Sequence, residues 1–294
     1  ADGEFAGEVG AGLVALHVVQ RPEDMAEPRK IVSGRASGMA KIEKPQAVLR
    51  LEESIDASDA IMVARGDLGV ELPIEFMPIV QKRLLRAAGR LARPSITATQ
   101  MLDSMVTSSR PTRAEATDVA NAILDGTDAV MLSQETAVGA YPVEAVAMLD
   151  AIARATEPEA PYREWNSDRV TRAKAGPDYT VAHAACEAVR TLGLDALIVP
   201  TLSGRTARIV SAHRPTVPIL ALSPGHETVR RCGTFWGVRA ASIDRHPTTE
   251  GLIAHSTRRV IELGWCKPGM RVGVTAGLPS AKPGSTSLFQ VQEL

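Results

Sequence analysis

The sequence predicts an α/β protein in which a partial (β/α)8 TIM-type barrel, with about five of its eight units, precedes a separate α/β domain. Short apolar runs of strand length alternate with amphipathic helical stretches in both halves of the chain. In the first half, polar side chains able to do chemistry follow the apolar runs. A stretch rich in Pro and charge at residues 157–179 is typical of a linker. We therefore expect a barrel part at residues 1–156 and a C-terminal domain at 180–294.

Composition allows two domains and excludes several classes of partner. The chain has 294 residues, 45% of them apolar, and a formal net charge of −1. This charge gives no long-range attraction to nucleic acid or an anionic membrane. Neither an apolar run of membrane-spanning length nor a basic-then-apolar leader is recognisable. Cys186, Cys232 and Cys266 form no Cys-x-x-Cys pair, so we expect small buried hydrophobes and a cytoplasmic location rather than disulfides or zinc.

Five candidate strands define the barrel part, each a short apolar run. They are residues 13–19, 38–43, 60–64, 95–99 and 129–133. Helical patterns are predicted at residues 22–32, 47–55, 74–91, 113–125 and 142–155. Pro28 should kink or shorten the first helix. Strands separated by helices predict a parallel sheet, and repeats of roughly 25–34 residues suit a barrel.

The candidate active site lies at the C-terminal ends of these strands, where barrel enzymes carry their catalytic groups. Lys41 and Glu43 are two residues apart on one strand and so point to one face, and Asp67 follows the next strand. One cation and two carboxylates aimed at one place predict a site for a divalent metal and a phosphorylated anion. Equivalent positions are taken by Arg65, Thr99, Gln100, Ser133 and Glu135. For any one of them alone, a turn or helix cap is the alternative.

Longer segments around these residues resemble the pyruvate kinase family. They are Ala40-Lys-Ile-Glu-Lys-Pro45, Ile61-Met-Val-Ala-Arg-Gly-Asp-Leu-Gly-Val-Glu71, Ala98-Thr-Gln-Met-Leu102, Arg110-Pro-Thr-Arg-Ala-Glu115, Asp118-Val-Ala-Asn121 and Val130-Met-Leu-Ser-Gln-Glu-Thr-Ala137. The resemblance runs from about Glu4 to the C-terminus. It implies glycolytic phosphoryl transfer from phosphoenolpyruvate to ADP, giving pyruvate and ATP. It also implies Mg²⁺ or Mn²⁺, usually K⁺, and a homo-oligomer that is a tetramer in the family.

Roles carry over from the family by position. The resemblance implies that Glu43 and Asp67 bind the metal, which prefers hard oxygen ligands. Lys41 resembles the lysine that stabilises charge on the transferring phosphoryl group. Thr99 resembles the hydroxyl that contacts the enolate and relays a proton to it.

A loop and two supporting residues complete the implied site. The substrate carboxylate is expected at backbone N–H groups of a helix N-terminus, in the loop formed by Ala64, Arg65, Gly66 and Asp67. Ser133 and Glu135 are expected nearby, behind the residues that touch the substrate.

The sequence departs from the family in two places. Where the family usually has a small hydroxyl followed by Phe, this chain has His17 and Val18; such a histidine is more often a structural hydrogen-bonder than an acid or base. The family's first three barrel strands and lid domain have no counterpart, nor have the substrate arginine and the asparagine, serine and aspartate that usually hold K⁺. We therefore expect a fragment, a split-gene product or an incomplete record, with pairing to another chain as the less favoured alternative.

An incomplete barrel would expose its interior. Apolar residues expected to face the barrel axis are Ile61, Val63, Ile96 and Met131. Wetting them would destabilise the N-terminal half.

The C-terminal domain is predicted as a second sheet with one antiparallel strand. Strands are expected at residues 196–200, 218–222, 239–243, 271–275 and 287–292, and helices at 180–192, 206–213, 227–235 and 249–263. The connection at 276–286 shows no helical pattern, so the last strand should return antiparallel. Trp165, Trp236 and Trp265 show no spacing typical of a stacking platform and are expected in the core or an interface.

A loop after the first of these strands is a candidate anion site. It comprises Thr201, Ser203, Gly204, Arg205 and Thr206, and offers hydroxyls, backbone N–H groups and one guanidinium. The loop resembles the one where family members place the phosphate of an activator, and residues 277–285 lie where the family has a covering loop. The alternative is that Ser203 only caps the following helix.

Two other functions remain open from the sequence. One is a non-catalytic subunit that binds an effector or supports assembly. The other is a metal-dependent barrel lyase acting on pyruvate-like acids, which would not explain the C-terminal domain.

Overall fold

The structure is a computed structural model that describes residues 5–6, 8–32, 34–165, 176–277 and 286–294. The chain forms two compact units, one of residues 1–9 with 13–161 and one of residues 10–12 with 162–294. The predicted linker lies partly outside the described residues, at 166–175. The last three residues of the predicted linker, 177–179, begin a helix. Pro177 suits its first position, since a backbone N–H there would have no partner within the helix.

The N-terminal unit contains the five predicted strands in one parallel sheet, in the order β1-β2-β3-β4-β5. They are β1 (Leu13–Leu16), β2 (Ser37–Ile42), β3 (Ala60–Ala64), β4 (Ser95–Ala98) and β5 (Ala129–Met131). Four predicted strands, β1, β2, β4 and β5, end one to three residues early, and the backbone conformation explains two of these ends. Val18 has a φ of 58° and Thr99 a φ of 70°, and a left-handed residue cannot continue a strand.

Helices follow the strands as predicted, and two short helices that were not predicted lie directly after β3 and shortly after β5. They are α1 (Ala26–Val32), α2 (Pro45–Leu49), α3 (Leu51–Asp56), α4 (Arg65–Glu71), α5 (Met77–Arg90), α6 (Arg113–Leu124), α7 (Gln134–Ala137) and α8 (Pro142–Thr156). Single 3₁₀ turns lie at Pro22–Met25, Ile74–Phe76, Asp103–Val106 and Glu157–Glu159. Pro28 lies in the first turn of α1, where backbone N–H groups have no intrahelical partner. The predicted helix at 47–55 is broken at Arg50.

The two faces of this sheet carry different apolar clusters. Ile61 and Val63 are fully buried against helix residues such as Leu84 and Leu85. The other face carries Met39, Ala60, Met62 and Ala98, with Ile96 and Met131 beside them. The expectation that Ile61 and Val63 face the barrel axis is therefore wrong, while Ile96 and Met131 do share a face. Side chains alternate along a strand, so assigning a strand one residue out of phase inverts its faces.

The C-terminal unit is a five-stranded sheet in the order β10-β9-β6-β7-β8. Its strands are β6 (Ala196–Pro200), β7 (Ile219–Ser223), β8 (Val238–Ser242), β9 (Arg271–Gly277) and β10 (Thr286–Glu293). Its helices are α9 (Pro177–Leu192), α10 (Arg205–Ala212), α11 (His226–Cys232) and α12 (Thr249–Glu262). The β9–β10 pair is antiparallel and the others are parallel, as predicted. The predicted covering loop falls outside the described residues at positions 278–285.

Cysteines and tryptophans of this unit lie where the sequence suggests. All three cysteines are free and buried, and burial raises the pKa of the Cys232 thiol to about 12. Trp165 and Trp236 pack edge to face, with ring centroids 5.8 Å apart, and Trp265 packs against the core beside α12. Among the described residues, no helix is both long and apolar enough to cross a membrane.

Candidate active site

Lys41 stands between two carboxylates at the C-terminal end of the sheet. Its Nζ lies 2.9 Å from Glu43 Oε2 and 2.7 Å from Asp67 Oδ2. The pairing of Lys41 with Met62 brings β2 beside β3, the strand that Asp67 follows. Because Lys41 and Glu43 are two residues apart, both reach the face that carries Met39 and Met62. The structure thus brings together the three residues on which the predicted site depends.

Glu43 is held in place by the backbone of the neighbouring strand end. It is only 5% exposed, and its Oε1 accepts a hydrogen bond of 2.5 Å from the backbone N–H of Val18. Val18 adopts a left-handed conformation, which is uncommon for a β-branched residue. Its N–H fixes one carboxylate oxygen and leaves Oε2 facing Lys41.

His17 belongs to the same group of side chains, which sequence reasoning did not establish. His17 Nδ1 lies 3.2 Å from Lys41 Nζ and 3.9 Å from Glu43 Oε2. The His17 side chain is 69% exposed. Its position just beyond β1, beside β2, was the available signal, because adjacent parallel strands end at the same edge.

The charges in this group stabilise one another. Burial acts most strongly on Lys41 and lowers its pKa, but hydrogen bonds to Asp67 and Glu43 outweigh this effect and leave the pKa raised. The hydrogen bond from Lys41 is the main cause of the lowered pKa of Asp67. Lys41 is therefore an ammonium and Asp67 a carboxylate at neutral pH.

The donor set suits a hard divalent cation. Glu43 and Asp67 present carboxylate oxygens to one positive charge, and carboxylates are the ligands that Mg²⁺ and Mn²⁺ prefer. In the described part of the chain, no three His, Cys, Asp or Glu side chains stand arranged to hold a metal as they are. Here an ammonium group occupies the place of a cation between the carboxylates, so the residues fit the ion by charge and chemistry.

The predicted carboxylate-binding loop, Ala64 to Asp67, forms the junction between β3 and α4. The N–H of Gly66 donates to Thr99 Oγ1 at 2.9 Å. The Arg65 guanidinium pairs with Asp118 at 2.5 Å. It also donates to the carbonyl oxygens of Thr99 at 2.8 Å and Gln100 at 3.3 Å. Arg65 therefore holds the turn that carries Thr99.

Thr99 and Gln100 form a strained turn after β4. Their φ angles are 70° and 52°, in the left-handed region that costs non-glycine residues about 1–2 kcal/mol each. The Thr99 hydroxyl donates to the Ala98 carbonyl oxygen at 2.6 Å and accepts from Gly66. The turn thereby joins the ends of β3 and β4 at the candidate site.

Ser133 and Glu135 follow β5, and the Glu135 carboxylate binds nearby backbone N–H groups. Glu135 is 2% exposed and accepts hydrogen bonds from the backbone N–H groups of Ser133, at 2.8 Å, and Leu102, at 3.1 Å. Ser133 contributes its backbone, and Glu135 ties β5 to the segment after Thr99.

In the C-terminal unit, most polar groups of the predicted anion loop already have partners. Arg205 pairs with Asp178 at 2.7 Å, Thr201 Oγ1 accepts from the N–H of Gly204 at 3.0 Å, and Thr206 Oγ1 lies 2.5 Å from Thr286 Oγ1. Ser203 is exposed. Gly204, with a φ of 77°, is the N-cap of α10, so the alternative that Ser203 caps this helix is wrong.

Comparison with known proteins identifies relatives for both units. The family model of the pyruvate kinase barrel domain matches residues 1–146, and that of the pyruvate kinase alpha/beta domain matches residues 179–292. A pyruvate kinase of Agrobacterium vitis is 46% identical over 293 residues, which are 100% of this chain and 61% of that protein. Pyruvate kinases of Methylorubrum extorquens and Clostridium acetobutylicum are 44% and 39% identical, over 96% and 95% of this chain and 59% and 60% of their own lengths. The chain thus spans about three fifths of these relatives.

Proposed function

The chain belongs to the pyruvate kinase family, and we propose on this basis that it carries part of an active site that transfers the phosphoryl group of phosphoenolpyruvate to ADP, giving pyruvate and ATP. The observation that supports this most is the ammonium of Lys41, set between Glu43 and Asp67 at the strand ends. Phosphoryl transfer depends mainly on positioning and on neutralising charge, which this group can provide.

Lys41 would act on the group in transfer. An oxygen of the terminal phosphate of ADP bonds to phosphorus, while the bond from phosphorus to the enol oxygen breaks and leaves the enolate of pyruvate. The raised pKa of Lys41 keeps its ammonium charged near the phosphoryl oxygens throughout. Glu43 and Asp67 would hold Mg²⁺ or Mn²⁺, which would supply further positive charge to the site.

Thr99 would act on the enolate. Pyruvate forms when the methylene carbon of the enolate takes up a proton, and the Thr99 hydroxyl can pass on such a proton once it leaves the Ala98 carbonyl. The loop at Ala64 to Asp67 would receive the substrate carboxylate, and the Thr99 hydroxyl now occupies one of its N–H groups, that of Gly66. One side chain therefore links substrate binding to protonation.

Further partners follow from the family and belong to the proposal. They are K⁺, whose usual family ligands have no counterpart in this chain, a second copy of the chain in a homo-oligomer that is a tetramer in the family, and a phosphorylated effector at the loop from Thr201 to Thr206. The Arg205 guanidinium would bind the effector phosphate in competition with the carboxylate of Asp178.

A coupled assay for pyruvate, with phosphoenolpyruvate, ADP and Mg²⁺, tests the proposal. We expect Lys41→Met to abolish any pyruvate formation by the chain, while Lys82→Met, which removes the ion pair of a half-exposed lysine with Asp125, leaves it unchanged. Absent turnover with intact binding of Mn²⁺ and phosphoenolpyruvate would favour the non-catalytic subunit. If neither ligand binds, the assignment of this site is wrong.

A further inference from the structure

Three donor atoms, and not two, face the ammonium of Lys41. They are Asp67 Oδ2 at 2.7 Å, Glu43 Oε2 at 2.9 Å and His17 Nδ1 at 3.2 Å. The proposed function uses the two carboxylates and gives His17 no role. Yet the imidazole Nδ1 lies beside the same ammonium group as the two carboxylates.

The contact with Lys41 identifies the ring nitrogen that faces the candidate site. His17 Nδ1 lies 3.2 Å from Lys41 Nζ, among the carboxylate oxygens that face the same ammonium. Imidazole nitrogen is the commonest metal ligand among protein side chains.

The position of His17 allows it to join the carboxylates around one ion. Its Nδ1 lies 3.9 Å from Glu43 Oε2, and ligand atoms bound to one cation at about 2.1 Å are about 3 Å apart. A shift of about 1 Å by this exposed side chain closes the difference. The next residue, Val18, already binds the other oxygen of Glu43, so the backbone that carries His17 is tied to a carboxylate of the site.

We propose that His17 is a third protein ligand, through Nδ1, of the divalent cation held by Glu43 and Asp67. Mg²⁺ prefers oxygen ligands, whereas Co²⁺ and Zn²⁺ accept imidazole nitrogen readily. His17 therefore shifts the preference of the site from Mg²⁺ toward Co²⁺ and Zn²⁺. This inference rests on the proposed function, which assigns the two carboxylates to the metal.

A Co²⁺ titration followed by visible absorption tests the inference, with Mg²⁺ affinity measured by displacement of Co²⁺. His17→Ala should weaken Co²⁺ binding about tenfold or more and change Mg²⁺ binding less than about twofold. His226→Ala removes an exposed histidine from the C-terminal unit and should change neither affinity. Equal melting temperatures of the two variants exclude an effect on folding.

Two carboxylate variants separate this inference from the proposed function. If Glu43→Gln and Asp67→Asn bind Co²⁺ as tightly as the unaltered chain, the metal assignment itself is wrong. If both lose binding but His17→Ala keeps the same ratio of Co²⁺ to Mg²⁺ affinity, only the role of His17 is overturned. With ¹⁵N-labelled histidine, Zn²⁺ should shift the Nδ1 resonance that disappears in His17→Ala, and a shift confined to other histidines would contradict the proposal.

Discussion

Lys41 is placed where it competes with any divalent cation for Glu43 and Asp67. Removing its charge leaves two carboxylates facing each other, and their repulsion favours a cation between them. We expect Lys41→Met to raise Mn²⁺ affinity at least about threefold, since nearby charges are only partly screened at this site. Water proton relaxation during a Mn²⁺ titration measures this, with Lys82→Met as control because Lys82 pairs with Asp125. Weaker Mn²⁺ binding in Lys41→Met would show that the lysine orients the carboxylates instead.

Arg65 stabilises the strained turn after β4 by holding two consecutive carbonyl oxygens and Asp118. A lysine cannot reproduce this fork of donors. Arg65→Lys should therefore lower the free energy of unfolding by about 1–3 kcal/mol, the range for a buried group left without its partner.

A double-mutant cycle with Asp118→Asn tests the pairing of Arg65 with Asp118. The two residues are in contact, so their effects on urea unfolding should not add. Additive effects would mean that the ion pair contributes nothing, and that the carbonyl contacts alone hold the turn.

At the scale of elements, the start of α6 depends on the carboxylate of Glu115. Thr112 caps the helix, and Glu115 accepts hydrogen bonds from the Thr112 N–H at 2.7 Å and the Ser104 N–H at 2.7 Å. Burial is the largest influence on Glu115 and raises its pKa, but the hydrogen bonds from Ser104 and Thr112 together leave the pKa lowered. A lowered pKa means that the carboxylate stabilises the fold above its unfolded value of 4.5 and loses this effect as pH falls through the folded value.

Glu115→Gln should therefore destabilise the chain by about 1 kcal/mol at pH 7. The difference in melting temperature between the unaltered chain and the variant should shrink as pH falls below about 4. Glu144→Gln, in the first turn of α8, is the control. A difference that persists unchanged at pH 3 would mean that the amide disturbs the helix start for another reason.

The sequence predicted every strand of both sheets, because apolar runs between helical patterns identify parallel strands without knowledge of contacts. It did not predict where β1 and β4 end, since the residues around Val18 and Thr99 do not indicate that these two take left-handed conformations. It also inverted the faces of β3, because a strand buried on both sides shows no alternation from which to read its phase.

The candidate site divides in the same way. Lys41, Glu43 and Asp67 were predictable, because their distance along the chain and their place at strand ends determine where they meet. The contact of His17 with Lys41 and the hydrogen bond of Arg65 to the Thr99 carbonyl oxygen were not predictable. Both depend on side-chain directions across neighbouring strands, which a single sequence does not contain.

For the whole molecule, the two sheets differ in how their surfaces are covered. In the N-terminal unit the face with Met39 and Met62 holds a small cluster, at whose margin Ile96 and Met131 are only partly buried. In the C-terminal unit two apolar clusters include both faces of the central strand, with Leu197 in one and Ile198 in the other. Burial of apolar surface is the main source of stability, so the C-terminal unit should be the more stable of the two.

Hydrogen exchange measured residue by residue tests this difference. Amides of β1 and β5 pair on one side only within the described sheet, and they should exchange through local opening at a lower free energy than amides of β6 and β7. The N-terminal unit should also bind an apolar dye at urea concentrations that leave the C-terminal unit folded. Apolar surface on the face with Met62 is the physical cause, so Met62→Leu, which conserves apolar character, should leave the order of exchange unchanged. Uniformly slow exchange across both units, in a monodisperse monomer without dye binding, would mean that the N-terminal face is covered as well as the C-terminal one.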